Sequence, residues 1–103
     1  MAIYTNITTG TTTTLITKGS ITSGSIGKIT IANVDGHSAD NICLYLENAA
    51  GVKYHFIKDV NIPYGATLVL NDNLSFSSGT YSLKIVTQNA SDGGTPNLTV
   101  IIK

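Results

Sequence analysis

Side chains able to do chemistry are sparse in this chain, and they crowd into one stretch, Asp35-Gly36-His37-Ser38-Ala39-Asp40-Asn41. Its carboxylates, amide and imidazole are the donor types that hold a hard cation. Calcium, however, takes about six to eight oxygens, and this stretch offers about three side-chain ligands at a spacing unlike an EF-hand. The better expectation is a polar loop in which Asp35 and Asn41 make local turn hydrogen bonds. His55 alternates with Tyr54 and Phe56, which points it to solvent or an interface. Cys43, the only cysteine, lies in Ile42-Cys43-Leu44-Tyr45 with no base nearby, so it is expected to be a small buried hydrophobe rather than a nucleophile. Glu47 and Asp59 could form a carboxylate pair for glycoside chemistry only if held at a fixed separation, and nothing else in the sequence supports that pairing. Ser25 sits in Gly24-Ser25-Ile26-Gly27, which lacks the spacing of a nucleophile elbow. The glycines are scattered through turns and form no phosphate loop. The expectation is a non-enzymatic protein with no catalytic residues, no cofactor and no metal.

The elements that would position these groups alternate with period two, broken by turn residues roughly every eight to twelve positions. Strands are expected over 26–34, 41–48, 52–58, 66–71, 80–87 and 98–102, with a short extended piece at Leu74 to Phe76. Segments 41–48 and 52–58 read as a hairpin around Ala49-Ala50-Gly51. Ile42, Leu44 and Leu46 share one face, with Cys43, Tyr45 and Glu47 opposite. Leu44, Leu46, Tyr81, Leu83 and Ile85 are the expected heart of the core. Loops are expected at 18–25, at 35–40 and from Asn89 to Asn97. Residues 3–8 and 11–17 are Thr-rich and β-branched with little apolar content. They are expected to be edge strands or an extended arm (residues 1–17) ahead of a domain spanning 18–103. The fold class is all-β, a single antiparallel β-sandwich or jelly-roll-like domain of about seven to eight short strands. Alternation alone does not separate a sandwich from an even-stranded barrel.

The chain has 103 residues, of which 42% are hydrophobic and 12% charged. That hydrophobic share suits one folded domain, whereas the charged share is about half the usual ~25%. Thr, Ser, Asn and Gly make up the difference. A surface of this kind can be buried against a partner with little charge desolvation and little loss of rotamer entropy. Six lysines balance six acids, and arginine is absent. Nucleic acid is therefore not an expected partner, because phosphate binding rests on clustered cations. No basic region followed by an apolar run opens the sequence, and no stretch approaches the ~20 apolar residues of a membrane helix. Synthesis in a cytoplasm, without membrane insertion, is expected. The triplets at Asn6, Asn73, Asn89 and Asn97 match a glycosylation pattern that an Asn- and Thr-rich composition produces by chance.

Tyrosines are the remaining candidates for contact, because they combine large area with low conformational entropy. Tyr45 and Tyr64 divide evenly between interface and core, whereas Tyr54 and Tyr81 are expected in the core. With Ile3, Tyr4 and Ile7 of the N-terminal segment, Tyr45 and Tyr64 form the candidate interface set.

The phrase Ile62-Pro63-Tyr64-Gly65-Ala66-Thr67-Leu68-Val69-Leu70, followed by Leu74-Ser75-Phe76 and Gly79, resembles the I-P-x-G-x-x-L-x-L pattern of small virion structural proteins of tailed phages, particularly marine and cyanobacterial ones. Gly27-Lys28-Ile29-Thr30-Ile31-Ala32-Asn33 and the Thr-rich opening resemble theirs too. One departure is Gly79-Thr80, where that family has Gly-Asp. The resemblance implies a virion protein made in a host cytoplasm, most simply a capsid decoration or cement protein. Its partners would be the major capsid or other virion proteins, and it would form a homo-oligomer. A neck or tail component is the alternative within that family. A carbohydrate-binding or adhesin-like module, presenting Tyr45, Tyr64 and the 35–41 loop, is the alternative outside it.

Overall fold

A computed structural model describes residues 3–19, 25–71, 74–77, 79–87 and 96–103 of the chain. The described residues form ten strands: β1 Ile3–Ile7, β2 Thr13–Ile16, β3 Ser25–Ile26, β4 Ile29–Asn33, β5 Ala39–Glu47, β6 Lys53–Ile62, β7 Thr67–Leu70, β8 Leu74–Ser75, β9 Ser82–Val86 and β10 Leu98–Ile102. Every pairing is antiparallel. Sheet A runs β1-β10-β4-β7, sheet B runs β2-β9-β5-β6, and β3 pairs with β8. With the β3–β8 pair set aside, the chain crosses between the sheets after nearly every strand and stays in one sheet only at the β5–β6 hairpin. That order is a jelly roll.

Inward positions follow from the pleat. Ile29 and Ile31 of β4, Leu98, Val100 and Ile102 of β10, and Ile42, Leu44, Leu83 and Ile85 of sheet B are sealed from solvent and form one core. Leu46 joins them. Tyr81 does not: it precedes β9, is only partly buried and lies edge-on to the Tyr54 ring at 5.7 Å. Tyr54 departs further from expectation, being 55% exposed. It pairs with Leu46 on the inward side of β6, but β6 is the edge of sheet B.

The expected strand over 26–34 divides in two. Gly27 and Lys28 turn their amides to the Lys103 carbonyl, at 2.9 and 3.1 Å, so β3 ends before β4 begins. Strand β6 runs on to Ile62, four residues past its expected end at 58. It does so by absorbing three register shifts against β5, with Asn41 and Asp59 at φ 54° and 55°. Asn and Asp are the side chains that tolerate this left-handed region best after Gly. The Asn41 amide is held by Asn61 Oδ1 at 2.9 Å.

The β5–β6 turn is as expected. Asn48 Oδ1 accepts from the amides of Ala50 and Val52 at 3.0 Å, and Gly51 takes φ 82°. Within the segment expected as edge strands or an arm, two strands are described. Strand β1 pairs with β10 over all five residues, and β2 pairs with β9. The expected loop at Asn89 to Asn97 falls largely outside the described residues, as does most of that at 18–25.

Candidate interaction surface

Cross-strand registers place two rows on the outer face of sheet A. One is Tyr4–Ile101–Thr30–Val69, and the other is Asn6–Thr99–Ala32–Thr67. Neither row carries a charge. Tyr4 is 70% exposed and Val69 44%, and these two flank the half-buried Ile101 and Thr30. Thr99 and Asn6 join through their side-chain oxygens at 3.3 Å. A pleated face of β-branched residues is stiff, so covering it loses little rotamer freedom.

The outer face of sheet B is different in kind. The charged residues within the two sheets, Asp40, Glu47, Lys53, Lys58, Asp59 and Lys84, all belong to its strands. Lys84 donates to Glu47 Oε1 at 2.5 Å across the β5–β9 pair. That hydrogen bond holds the Glu47 carboxyl below its ordinary range and raises the Lys84 ammonium above its own. Tyr45 lies on this solvent-side face yet is only 3% exposed. The His55 ring packs at 5.2 Å, and the Lys53 ammonium sits 5.1 Å above the ring centre. Long cationic side chains cover aromatic surface while keeping their heads in water. Tyr45 is therefore taken up by the domain itself.

The other candidate interface residues separate likewise. Ile7 is sealed in the core, Ile3 packs partly against it, and Tyr4 points outward between them. Tyr64 is 69% exposed. It occupies the corner of a turn closed by Ala66 N–H to Pro63 O at 3.0 Å, with Gly65 at φ 78°. Glycine at the third position is what a type II turn requires, and the residue before it projects into solvent.

Asn33 was not singled out by sequence, yet it organises this end of the molecule. Its side chain is buried at the end of β4. Nδ2 donates to the carbonyls of His37 at 2.8 Å and Ile62 at 2.9 Å, and Oδ1 accepts from the Asp35 amide at 3.0 Å. Its backbone N–H bonds the Ala66 carbonyl, and its carbonyl accepts from Gly65 N–H. One residue thus ties the β4–β5 loop to the β6–β7 turn. Between them lies an open cleft of about 290 Å³, whose lining includes Asp35, Tyr64 and Thr67. An Asn preceding Val-Asp-Gly at the end of a β-branched run was the available signal, since Asn is otherwise disfavoured in strands.

The residues considered for chemistry do not assemble. Asp35 Oδ2 is 4.0 Å from His37 Nδ1, whereas Asp40 accepts a hydrogen bond from Ser38. Cys43 is half-buried on the outer side of sheet B rather than fully buried, with Sγ 3.7 Å from Asp59 Oδ1. Glu47 pairs with Lys53, and Asp59 lies six residues further along β6. That is about 20 Å of strand, well beyond the ~5–9.5 Å of working glycosidase pairs. Among the described residues, no three His, Cys, Asp or Glu side chains are grouped to hold a metal ion, and no helix is long and apolar enough to cross a membrane.

No family model and no curated protein matches this chain. Several solved structures share its fold. A chain of the infectious bursal disease virus Gt strain matches with TM-score 0.51 and 15% identity, over 99% of this chain and 32% of its own length. The Yersinia pseudotuberculosis-derived mitogen matches with TM-score 0.52 and 12% identity, over 100% of this chain and 83% of its own. A chain of the cyanophage Pam1 capsid asymmetric unit matches with TM-score 0.51 and 14% identity, over 99% and 81%. This chain therefore spans about a third of the bursal disease virus chain. At these identities the likeness is one of fold alone.

Proposed function

We propose that the protein is a structural component of a virus particle, a capsid decoration or cement protein that docks on a symmetric shell through the outer face of sheet A. The observation that carries this reading is the uncharged face built by Tyr4, Ile101, Thr30 and Val69, set against a sheet B that holds all the charges of the two sheets. Covering such a face desolvates no ion, which removes the largest cost of burying polar surface. Contacts that are weak singly become stable when repeated around a symmetric assembly. The jelly roll supports the reading without selecting it, because one fold serves many functions. The resemblance around Ile62 to Leu70 and the occurrence of this fold in the Pam1 capsid point the same way.

The test uses particles stripped of the protein and re-bound with purified chain. Tyr4→Lys combined with Val69→Lys places two cations in the proposed contact without touching the core. Co-sedimentation with the particles should fall at least about tenfold, since an unpaired charge at a buried contact costs more than ~1.4 kcal/mol. A sheet B control, Lys53→Glu, should bind as the native chain does. Equal binding by the double variant, or selective loss by the control, would show that sheet A is not the docking face. Imaging of the re-bound particle distinguishes shell from neck or tail by copy number and position.

A further inference from the structure

We propose that the cleft between the β4–β5 loop and the β6–β7 turn is a binding site for a neutral pyranose sugar. The inference goes beyond the shell-binding role and concerns the chain free of a shell, because Ala32 and Thr67 belong both to the cleft and to the outer face of sheet A. Three features of the cleft point to this chemistry. First, Tyr64 stands at one wall as an exposed ring on a turn corner. A pyranose has a face of C–H groups that packs on the electron-rich face of an aromatic ring. Second, Asp35 and Thr67, a carboxylate residue and a hydroxyl residue, are among those lining the cleft, and the Asp35 side chain is 26% exposed. An ionised carboxylate accepts from two adjacent hydroxyls at once, which is how vicinal diols are held. Third, among the described residues no lysine lines the cleft and Asp35 is the one formally charged residue lining it, so an anionic sugar or phosphate is disfavoured.

The walls are fixed before any ligand arrives. Asn33 bonds the His37 carbonyl and the Asp35 amide on one side, and the Ile62 carbonyl and Gly65 amide on the other. A site held in this way spends little binding energy on ordering itself. At about 290 Å³ the cleft lies at the small end of ligand sites, which span ~300–1,000 Å³. It suits one sugar ring, with the rest of a glycan leading into solvent.

The intact chain, labelled with ¹⁵N, would be titrated with the methyl pyranosides of glucose, galactose, mannose and N-acetylglucosamine. At least one should produce saturable amide shifts confined to Val34, Asp35, Gly65 and Thr67. Tyr64→Ala should abolish saturation while leaving the rest of the spectrum unchanged, and Tyr64→Phe should retain it. Asp35→Asn should weaken binding about tenfold or more, as expected for hydrogen bonds to a charged acceptor. Because an aromatic ring beside a carboxylate also suits a cation, tetramethylammonium is titrated in parallel. Saturation by tetramethylammonium alone, the absence of saturation with every sugar, or unchanged sugar binding in Tyr64→Ala would each overturn the proposal.

Discussion

Single residues set the limits within which this surface can vary. Asn33 makes three side-chain hydrogen bonds from a buried position, two as donor and one as acceptor. Aspartate keeps the shape and the acceptor but loses both donors, and it turns a carboxylate toward the carbonyls of His37 and Ile62. Asn33→Asp is therefore expected to destabilise by more than Asn33→Ala, which itself should cost at least ~1–3 kcal/mol by leaving buried partners unmet. Urea unfolding of the two variants at neutral pH checks the order. A smaller loss from Asn33→Asp than from Asn33→Ala would mean that the side chain acts by shape rather than through its donors. The Glu47–Lys84 pair makes a second prediction. The folded carboxyl titrates below its ordinary 4.5, so its contribution is present above pH 4.5 and is lost as pH falls through the lowered value. The folded ammonium titrates above its ordinary 10.5, so its contribution is present below pH 10.5 and is lost as pH rises through the raised value. Glu47→Gln should lower neutral stability by the same modest amount by which it flattens the acid limb of a plot of stability against pH below 4.5, since exposed pairs contribute little. An unchanged acid limb would remove the pair from any role in pH dependence.

At the scale of the element, the edges of the two sheets are built differently. Strand β6 carries Lys53, Lys58 and Asp59 and is interrupted by three register shifts, and β2 also shifts register. Charges and bulges of this kind discourage a further strand from adding. Strands β1 and β7 have neither, with regular pairing along Ile3–Ile7 and Thr67–Leu70. Sheet A thus combines an uncharged outer face with edge strands that carry neither charges nor register shifts. Strand β1 also closes the core. Its inward Ile7 covers the row that continues through Leu98 and Asn33. Deleting residues 1–7 is expected to lower the melting temperature sharply, or to prevent folding, where a detachable arm would leave it unchanged. Ile7→Ala offers a gentler version and should cost ~2–5 kcal/mol, whereas Tyr4→Ala on the outward side should stay within ~0.5 kcal/mol. Thermal and urea melts of both would decide whether β1 belongs to the domain.

For the molecule as a whole, the chain alone determined a good deal. Alternation at 41–47 and 82–86 revealed strands whose inward sets, Ile42, Leu44, Leu46, Leu83 and Ile85, are buried together. Gly51 and Gly65 marked turns that need positive φ. Composition showed that few charges would have to be desolvated wherever the surface was covered. These features are local, fixed by a pleat of period two and by the steric limits of the backbone, so a linear sequence displays them. What it did not display depends on which strands become neighbours. Sheet order is set by segments far apart in the chain, such as β1 with β10 and β4 with β7. Only that order shows that the charges collect in sheet B and that Tyr4, Ile101, Thr30 and Val69 form one row. It also decides where two tyrosines lie. Tyr54 shares an inward pleat but lies on an edge strand, and so stays in water. Tyr45 shares an outward pleat but lies on an inner strand between β9 and β6, so Lys53 and His55 can close over it. The pleat decides which way a side chain points, whereas the tertiary structure alone decides what lies there to cover it.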